Sequence, residues 1–147
     1  MIRKYDKKKG ILFLCTGNAC RSQMAEGFAK KFAPDDVMVF SAGIAPAGVS
    51  SRAARVMKEA GIDISNQYSK GIEDIPLNDI GTVITLCSSA EKFCPIIPGK
   101  IRLHWPFLDP VGLRGDEEEV LWAFRKVRDA IKERIENFFK NKEYEDE

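Results

Sequence analysis

Glutamine occurs only at positions 23 and 67, histidine only at 104, and no two of the four cysteines form a C-x2-C pair. Structural zinc sites are built from such pairs, so Cys15, Cys20, Cys87, Cys94 and His104 have the wrong spacing for one, and no metal is expected. Long apolar runs are missing too: nothing approaches the roughly 18 residues that a bilayer-spanning helix needs. The start, MIRKYDKKKGILFLC, has basic residues before an apolar stretch. That stretch is too short for a signal peptide and no small-residue cleavage site follows, so a cytoplasmic chain without a membrane partner is expected. An excess of one charge is also absent, since 23 Lys and Arg against 22 Asp and Glu leave a net +1. A field this weak gathers no nucleic acid, and any anion must be bound locally.

What is present is the composition of a soluble globular protein, 44% hydrophobic and 31% charged, with the Lys and Glu enrichment of heat-adapted chains. At 147 residues one catalytic domain is expected over 1–147, with a basic extension at 1–9 and a charged tail at 140–147 that frays. A monomer is expected. A domain of this size needs no disulfides, and in a reducing compartment cysteines serve more often as catalysts, ligands or core residues.

Gly10 to Leu14 is a short continuous apolar run, the mark of a parallel strand covered on both faces. From Ser22 the period changes: Met24, Ala25, Phe28, Ala29 and Phe32 share a helical face, and Pro34 stops the helix. Val37 to Phe40 reads as a second strand. After the loop SAGIAPAGVS, Ser50 or Ser51 caps a helix with Ala53, Val56, Met57 and Ala60 inward, ending at Gly61. Residues 62–79 read as loop with a short turn. Thr82 to Leu86 is a β-branched third strand, and Ile101 to Trp105 a fourth. The last helix starts near Asp116, with Glu117, Glu118 and Glu119 at its positive end and a stripe of Val120, Phe124, Val127, Ile131, Ile135 and Phe138. Alternating strands and helices predict an α/β fold: a small four-stranded parallel sheet flanked by helices on both faces. Ligands of such sheets sit at the carboxyl ends of the strands, where Cys15, Cys87 and the loop after Trp105 converge.

The stretch CTGNACRSQMAEG, residues 15–27, carries the chemistry. A strand-to-helix turn containing Gly17 can aim several backbone N–H groups into one cavity, and the following helix adds its dipole. Thr16, Gly17, Asn18, Ala19, Cys20, Arg21 and Ser22 then form an oxyanion cradle, with Arg21 forking two donors onto the bound oxygens. Cys15 faces the same positive field and is expected to act as a thiolate nucleophile, with Ser22 donating to its sulfur. Taken singly, Cys15 reads as a buried strand cysteine and Arg21 as a surface residue; together with Gly17 and Ser22 they point to the cradle. Cys20, inside the loop, reads as structural.

The Cys-x5-Arg-Ser pattern resembles the phosphate loop of low-molecular-weight protein tyrosine phosphatases, and CTGNACRSQMAEG resembles more closely that of the thioredoxin-coupled arsenate reductases built on the same fold. The resemblance extends to SAGI at 41–44, DISN at 63–66, VITLCSSAEKFCP at 83–95, HWPFLDP at 104–110 and FRKVRDAI at 124–131, covering nearly all of residues 10–139. It implies that Cys15 attacks arsenate, Cys87 attacks Cys15 and releases arsenite, and Cys94 attacks Cys87 to leave a disulfide that thioredoxin or a thioredoxin-like protein clears. Phosphate and sulfate would compete for the loop. No bound cofactor is implied. The loop alone does not separate this activity from hydrolysis of phosphate monoesters, which remains the alternative.

The spacing adds its own constraint. Were residues 87–94 helical, their end Cα atoms would lie about 10 Å apart, whereas a disulfide needs roughly 4.4 to 6.8 Å. The segment 87–98 must therefore bend or melt, and Pro95 and Pro98 keep a long helix from forming there. Asp109, followed by Pro110, matches the general acid of the phosphatase family, and Pro110 favours an extended Asp109 that reaches into the cavity. Val111, Gly112 and Leu113 follow where phosphotyrosine enzymes carry an aromatic residue, which favours a small inorganic substrate. The resemblance also implies a monovalent cation beside the loop, held by Asn18, Glu26 and Ser41. Tyr68, standing where a threonine is usual, speaks against it. His104 reads as a packed strand-end residue.

Overall fold

A computed structural model describes residues 10–94 and 100–145. The basic extension at 1–9, the prolines at 95 and 98 and the last two residues lie outside the described residues. In chain order the elements are β1 (Gly10–Cys15), α1 (Arg21–Phe32), β2 (Val39–Gly43), α2 (Ser51–Glu59), β3 (Ile80–Thr85), α3 (Ser88–Phe93), β4 (Ile101–His104) and α4 (Glu117–Lys140).

All strand pairs are parallel and the order is β2-β1-β3-β4. The apolar run of β1 explains its central place: all six of its residues are buried, as only a strand covered on both faces can be. From β1 the chain steps to one side for β2 and to the other for β3, so the order reverses between β1 and β3. Open parallel sheets leave a crevice at such a reversal, beyond the strands' carboxyl ends. Cys15 closes β1 there, and Cys87 lies two residues past β3.

The helix stripes behave as their periods predict. Met24, Ala25, Phe28 and Ala29 of α1 are buried, as are Val120, Phe124, Val127, Ile131, Ile135 and Phe138 of α4. Each large apolar side chain so buried contributes about 1.5–3 kcal/mol. Ser50 caps α2 by accepting from the Ala53 N–H, a bond worth about 1 kcal/mol over alanine. Gly61 follows that helix at φ +82°, the left-handed conformation a helix C-terminus favours for glycine. Arg125 and Arg128 of α4 both reach Glu59 of α2, and Arg52 pairs with Glu117.

The third strand is Ile80–Thr85 rather than 82–86 and the fourth ends at His104 rather than Trp105, and four further details depart from the sequence-based expectation. The second strand is Val39–Gly43 rather than 37–40, because parallel pairing with β1 extends it toward the loop. Ala60 is the C-cap of α2 and only partly buried, since the helix has already ended. Residues 62–79 contain two 3-10 turns, Ile72–Asp74 and Leu77–Asp79, and bury Ile64 and Ile75. The tail does not fray over its described part: Tyr144 packs on Phe138 and Phe139, and Arg134 grips Glu143 with two bonds of 3.0 and 2.9 Å.

Candidate active site

The turn between β1 and α1 is shaped from outside. The carbonyls of Cys15, Thr16, Gly17 and Ala19 accept from the N–H groups of Ile44, Ala45, Ala47 and Ser50. Gln23 Nε2 donates to the Asn18 carbonyl at 3.0 Å, and the Met24 N–H to that of Cys20 at 2.9 Å. A trans peptide points its N–H opposite to its C=O. With six successive carbonyls turned outward, the N–H groups of residues 16–21 are turned toward the loop's interior, a concave nest for an anion. Gly43 permits this closeness: a Cβ there would lie 2.8 Å from the Asn18 nitrogen and 2.9 Å from the Thr16 oxygen. The sequence carried that signal in SAGI, a glycine just after a strand, but only the fold says what approaches it.

Asn18 holds the bend at φ 48°, a left-handed position that asparagine tolerates better than most residues. Its side chain is fully buried. Nδ2 donates to Ser22 Oγ at 2.7 Å and to Ser41 Oγ at 2.9 Å, while Oδ1 accepts from the Lys70 N–H at 2.9 Å. Ser41 in turn donates to Glu26 Oε1 at 2.5 Å. Ser22 Oγ, already an acceptor from Asn18, lies 2.8 Å from Cys15 Sγ, within hydrogen-bond distance of the sulfur.

Arg21 opens α1 and is buried. One guanidinium nitrogen donates to the Phe107 carbonyl at 3.2 Å and another pairs with Asp109 Oδ2 at 3.3 Å. The Asp109 carboxylate, half-exposed, also accepts from the Val111 N–H at 3.0 Å, the Asx-type turn that Asp-Pro favours. The 107–111 loop thus meets the Cys15 loop through Arg21.

Cys87 comes to the same rim. The Leu86 N–H donates to the Leu14 carbonyl at 2.8 Å, which sets the two strand ends side by side, and Cys87 Sγ lies 3.3 Å from Thr16 Oγ1. Its sulfur also accepts from the Ala90 N–H at 3.3 Å, capping α3. Cys94 stands at the other end of that helix, its N–H bonded to the Ala90 carbonyl. All four cysteines are unbridged. Burial pushes the Cys94 thiol up, with the Arg102 guanidinium pulling the other way. Burial also pushes the Cys20 thiol strongly up, aided by the charges of Asp109 and Cys15, so Cys20 stays protonated as a structural residue should.

Three groups around α3 were not foreseen. Glu91 on the helix accepts from the Thr85 hydroxyl and lies 3.5 Å from Arg102, whose Nη2 also donates to the Glu91 carbonyl at 2.7 Å. His104 is not packed away: its side chain is partly exposed and Nδ1 lies 2.8 Å from Thr85 Oγ1. Because Thr85 gives its own proton to Glu91, the histidine is the donor in that contact. These side chains clamp α3 onto β3 and β4.

The structure thus brings together Cys15, the loop that follows it, Arg21 at the start of α1 and the Asp-Pro loop. The sequence matches the family model described as Low molecular weight phosphotyrosine protein phosphatase over residues 10–146, and the chain belongs to that family. Within it, the chain is 51% identical over 132 residues to an arsenate reductase of Halalkalibacterium halodurans, a match covering 89% of this chain and 95% of that one. The fold is similar to that of an arsenate reductase solved in its phosphate-binding state, with TM-score 0.74, 38% identity, and 90% and 98% of the two chains covered. A thioredoxin-dependent arsenate reductase of Corynebacterium glutamicum is similar at TM-score 0.72 and 28% identity, over 92% of this chain and 62% of that one.

Proposed function

We propose that this protein reduces arsenate to arsenite through Cys15, Cys87 and Cys94 and is recharged by thioredoxin or a thioredoxin-like dithiol protein. The observation that carries the reading is the contact between Cys87 Sγ and Thr16 Oγ1, which brings a second thiol to the loop of the first. Hydrolysis of a phosphate monoester needs no such thiol, and the similarity to arsenate reductases supports the same choice.

Arsenate enters the ring of N–H groups and takes over Arg21, loosening its pair with Asp109. The Cys15 thiolate attacks arsenic(V). An As–O bond breaks, and Asp109 protonates the departing oxygen as hydroxide becomes water. Cys87 as thiolate then attacks the Cys15 sulfur; the S–S bond forms, and the electron pair of the S–As bond stays on arsenic, which leaves as arsenite in the +3 state. Cys94 attacks Cys87, freeing Cys15, and the thioredoxin-class dithiol reduces the Cys87–Cys94 bridge, taking the disulfide onto itself.

Helix α3 governs the second exchange. Its six residues keep Cys87 and Cys94 about 10 Å apart at the Cα atoms, beyond the reach of a disulfide. Unwinding the helix closes that distance and removes the burial that holds the Cys94 thiol up. A relay of this kind turns over only where thiols are kept reduced, which supports a cytoplasmic location.

Cys15, Arg21 and Asp109 also suffice for slow phosphomonoester hydrolysis, and the family membership supports that as a side activity. The test is arsenate-dependent oxidation of reduced thioredoxin. Turnover is expected from the wild type and is expected to vanish in Cys87→Ser and Cys94→Ser, both of which keep any aryl phosphate hydrolysis. Undiminished thioredoxin oxidation in either variant contradicts the relay.

A further inference from the structure

The ring of N–H groups rests on a buried carboxylate. Glu26 is buried on α1 and heads a chain of hydrogen bonds that runs through Ser41 and Asn18 to Ser22, beside Cys15. Glu26 accepts from Ser41, Ser41 from Asn18, and Asn18 spends its two amide hydrogens on Ser41 and Ser22. Ser22 in turn lies within hydrogen-bond distance of the Cys15 sulfur. A buried carboxylate needs a nearby positive charge, and the family resemblance implies a monovalent cation at Asn18, Glu26 and Ser41.

A side-chain cation already faces this carboxylate: the Lys70 side chain is 9% exposed and its ammonium is 3.6 Å from Glu26 Oε1. The same ammonium donates to the Tyr68 carbonyl at 3.1 Å and lies 4.6 Å from the centre of the Tyr68 ring. An acid, a carbonyl and an aromatic face are the set a cation is held by. Lys30 binds the other Glu26 oxygen at 2.5 Å from the solvent side. One carboxylate therefore already carries two ammonium groups, and a further cation would be repelled. Tyr68, the residue that departs from the usual threonine, is the one whose ring and carbonyl seat the ammonium.

We propose that Lys70 is a tethered replacement for the monovalent cation, a positioning residue that makes the Cys15 loop independent of potassium. It acts twice on Asn18: its backbone N–H fixes Oδ1, and its ammonium fixes Glu26 at the head of the chain whose other end is Ser22. The inference rests on the loop being an anion site, and does not depend on which oxyanion is transformed.

The test uses the full chain dialysed into tetramethylammonium chloride and compared with potassium chloride at equal ionic strength, reading melting temperature and affinity for inorganic phosphate. The wild type is expected to give the same values in both salts. Lys70→Ala is expected to bind phosphate about fivefold more weakly in tetramethylammonium, as loss of one member of a coupled network does, and to melt lower. Potassium is expected to restore both. Lys70→Gln keeps a polar stem, should Lys70→Ala fail to fold, and the same loss and potassium response are expected. A wild type that gains melting temperature or phosphate affinity from potassium overturns the proposal; so does a variant that loses nothing, or whose loss potassium fails to repair. If the wild type bound no phosphate in either salt, the anion-site reading would fall, while the melting temperatures would still report on Lys70.

Discussion

Ser22 Oγ lies 2.8 Å from Cys15 Sγ and, at 2.7 Å, accepts a hydrogen from Asn18. The second contact uses one lone pair of the serine oxygen and leaves its proton available to the sulfur. Ser22→Ala removes that hydroxyl, and with it the acceptor of one Asn18 amide hydrogen. A hydrogen bond to a charged group is worth about 1.5–3 kcal/mol, so alkylation of Cys15 by iodoacetamide at pH 7 is expected to slow. An unchanged alkylation rate would show that the amides and the helix dipole hold the sulfur without help.

Glu91 ties α3 to β3 and β4. Its carboxyl is held below the ordinary range, first by the Thr85 hydroxyl and then by the charges of Arg102 and His104, opposed by burial. A depressed carboxylate stabilises the fold fully above its ordinary value near 4.5, and that contribution is lost as pH falls through its folded value. Glu91→Gln removes the charge at every pH. The amides of α3 are then expected to exchange about tenfold faster, and the Cys87–Cys94 bridge to close faster in single turnover. If exchange rises and bridge closure does not, unwinding of α3 is not the step that limits closure.

On the far side of the molecule Glu59 joins α2 to α4. The hydrogen bond from Arg125 is the largest cause of its carboxyl falling from 4.5 to about 2, with Arg125 and Arg128 charges adding and desolvation opposing. The same linkage rule applies: the pair contributes above about pH 4.5, and its contribution disappears as the medium is acidified toward about 2. Wild type is expected to melt above Glu59→Gln at pH 7 by a margin that stays level down to about pH 5 and closes by about pH 2. A margin that persists at pH 2 would assign the difference to packing rather than to charge.

The elements with a period were legible in the sequence. The β1 run, the α1 and α4 stripes and the Cys-x5-Arg loop each announce themselves within one segment, because a strand or helix repeats its buried face at fixed intervals. What stayed hidden joins distant segments. Only the fold lays Lys70 against Glu26 and gathers Thr85, Arg102 and His104 around Glu91. The order of the Tyr144 end of the chain was hidden for the same reason: a polar tail gives no sign that one aromatic ring in it will find Phe138 and Phe139. Resemblance supplied the roles of Cys87 and Cys94; spacing alone supplied only the demand that the helix between them give way.

The central claim is that the sulfur of Cys87 reaches the sulfur of Cys15 when arsenate has been attacked. Cys94→Ser halts the relay one step later and traps its product. One equivalent of arsenate added to this reduced variant, followed by acid quench and non-reducing peptide mass mapping, is expected to yield a bridge between Cys15 and Cys87 and one equivalent of arsenite. Arsenate consumed without that bridge, or a bridge joining Cys15 to Cys20 instead, would contradict the account.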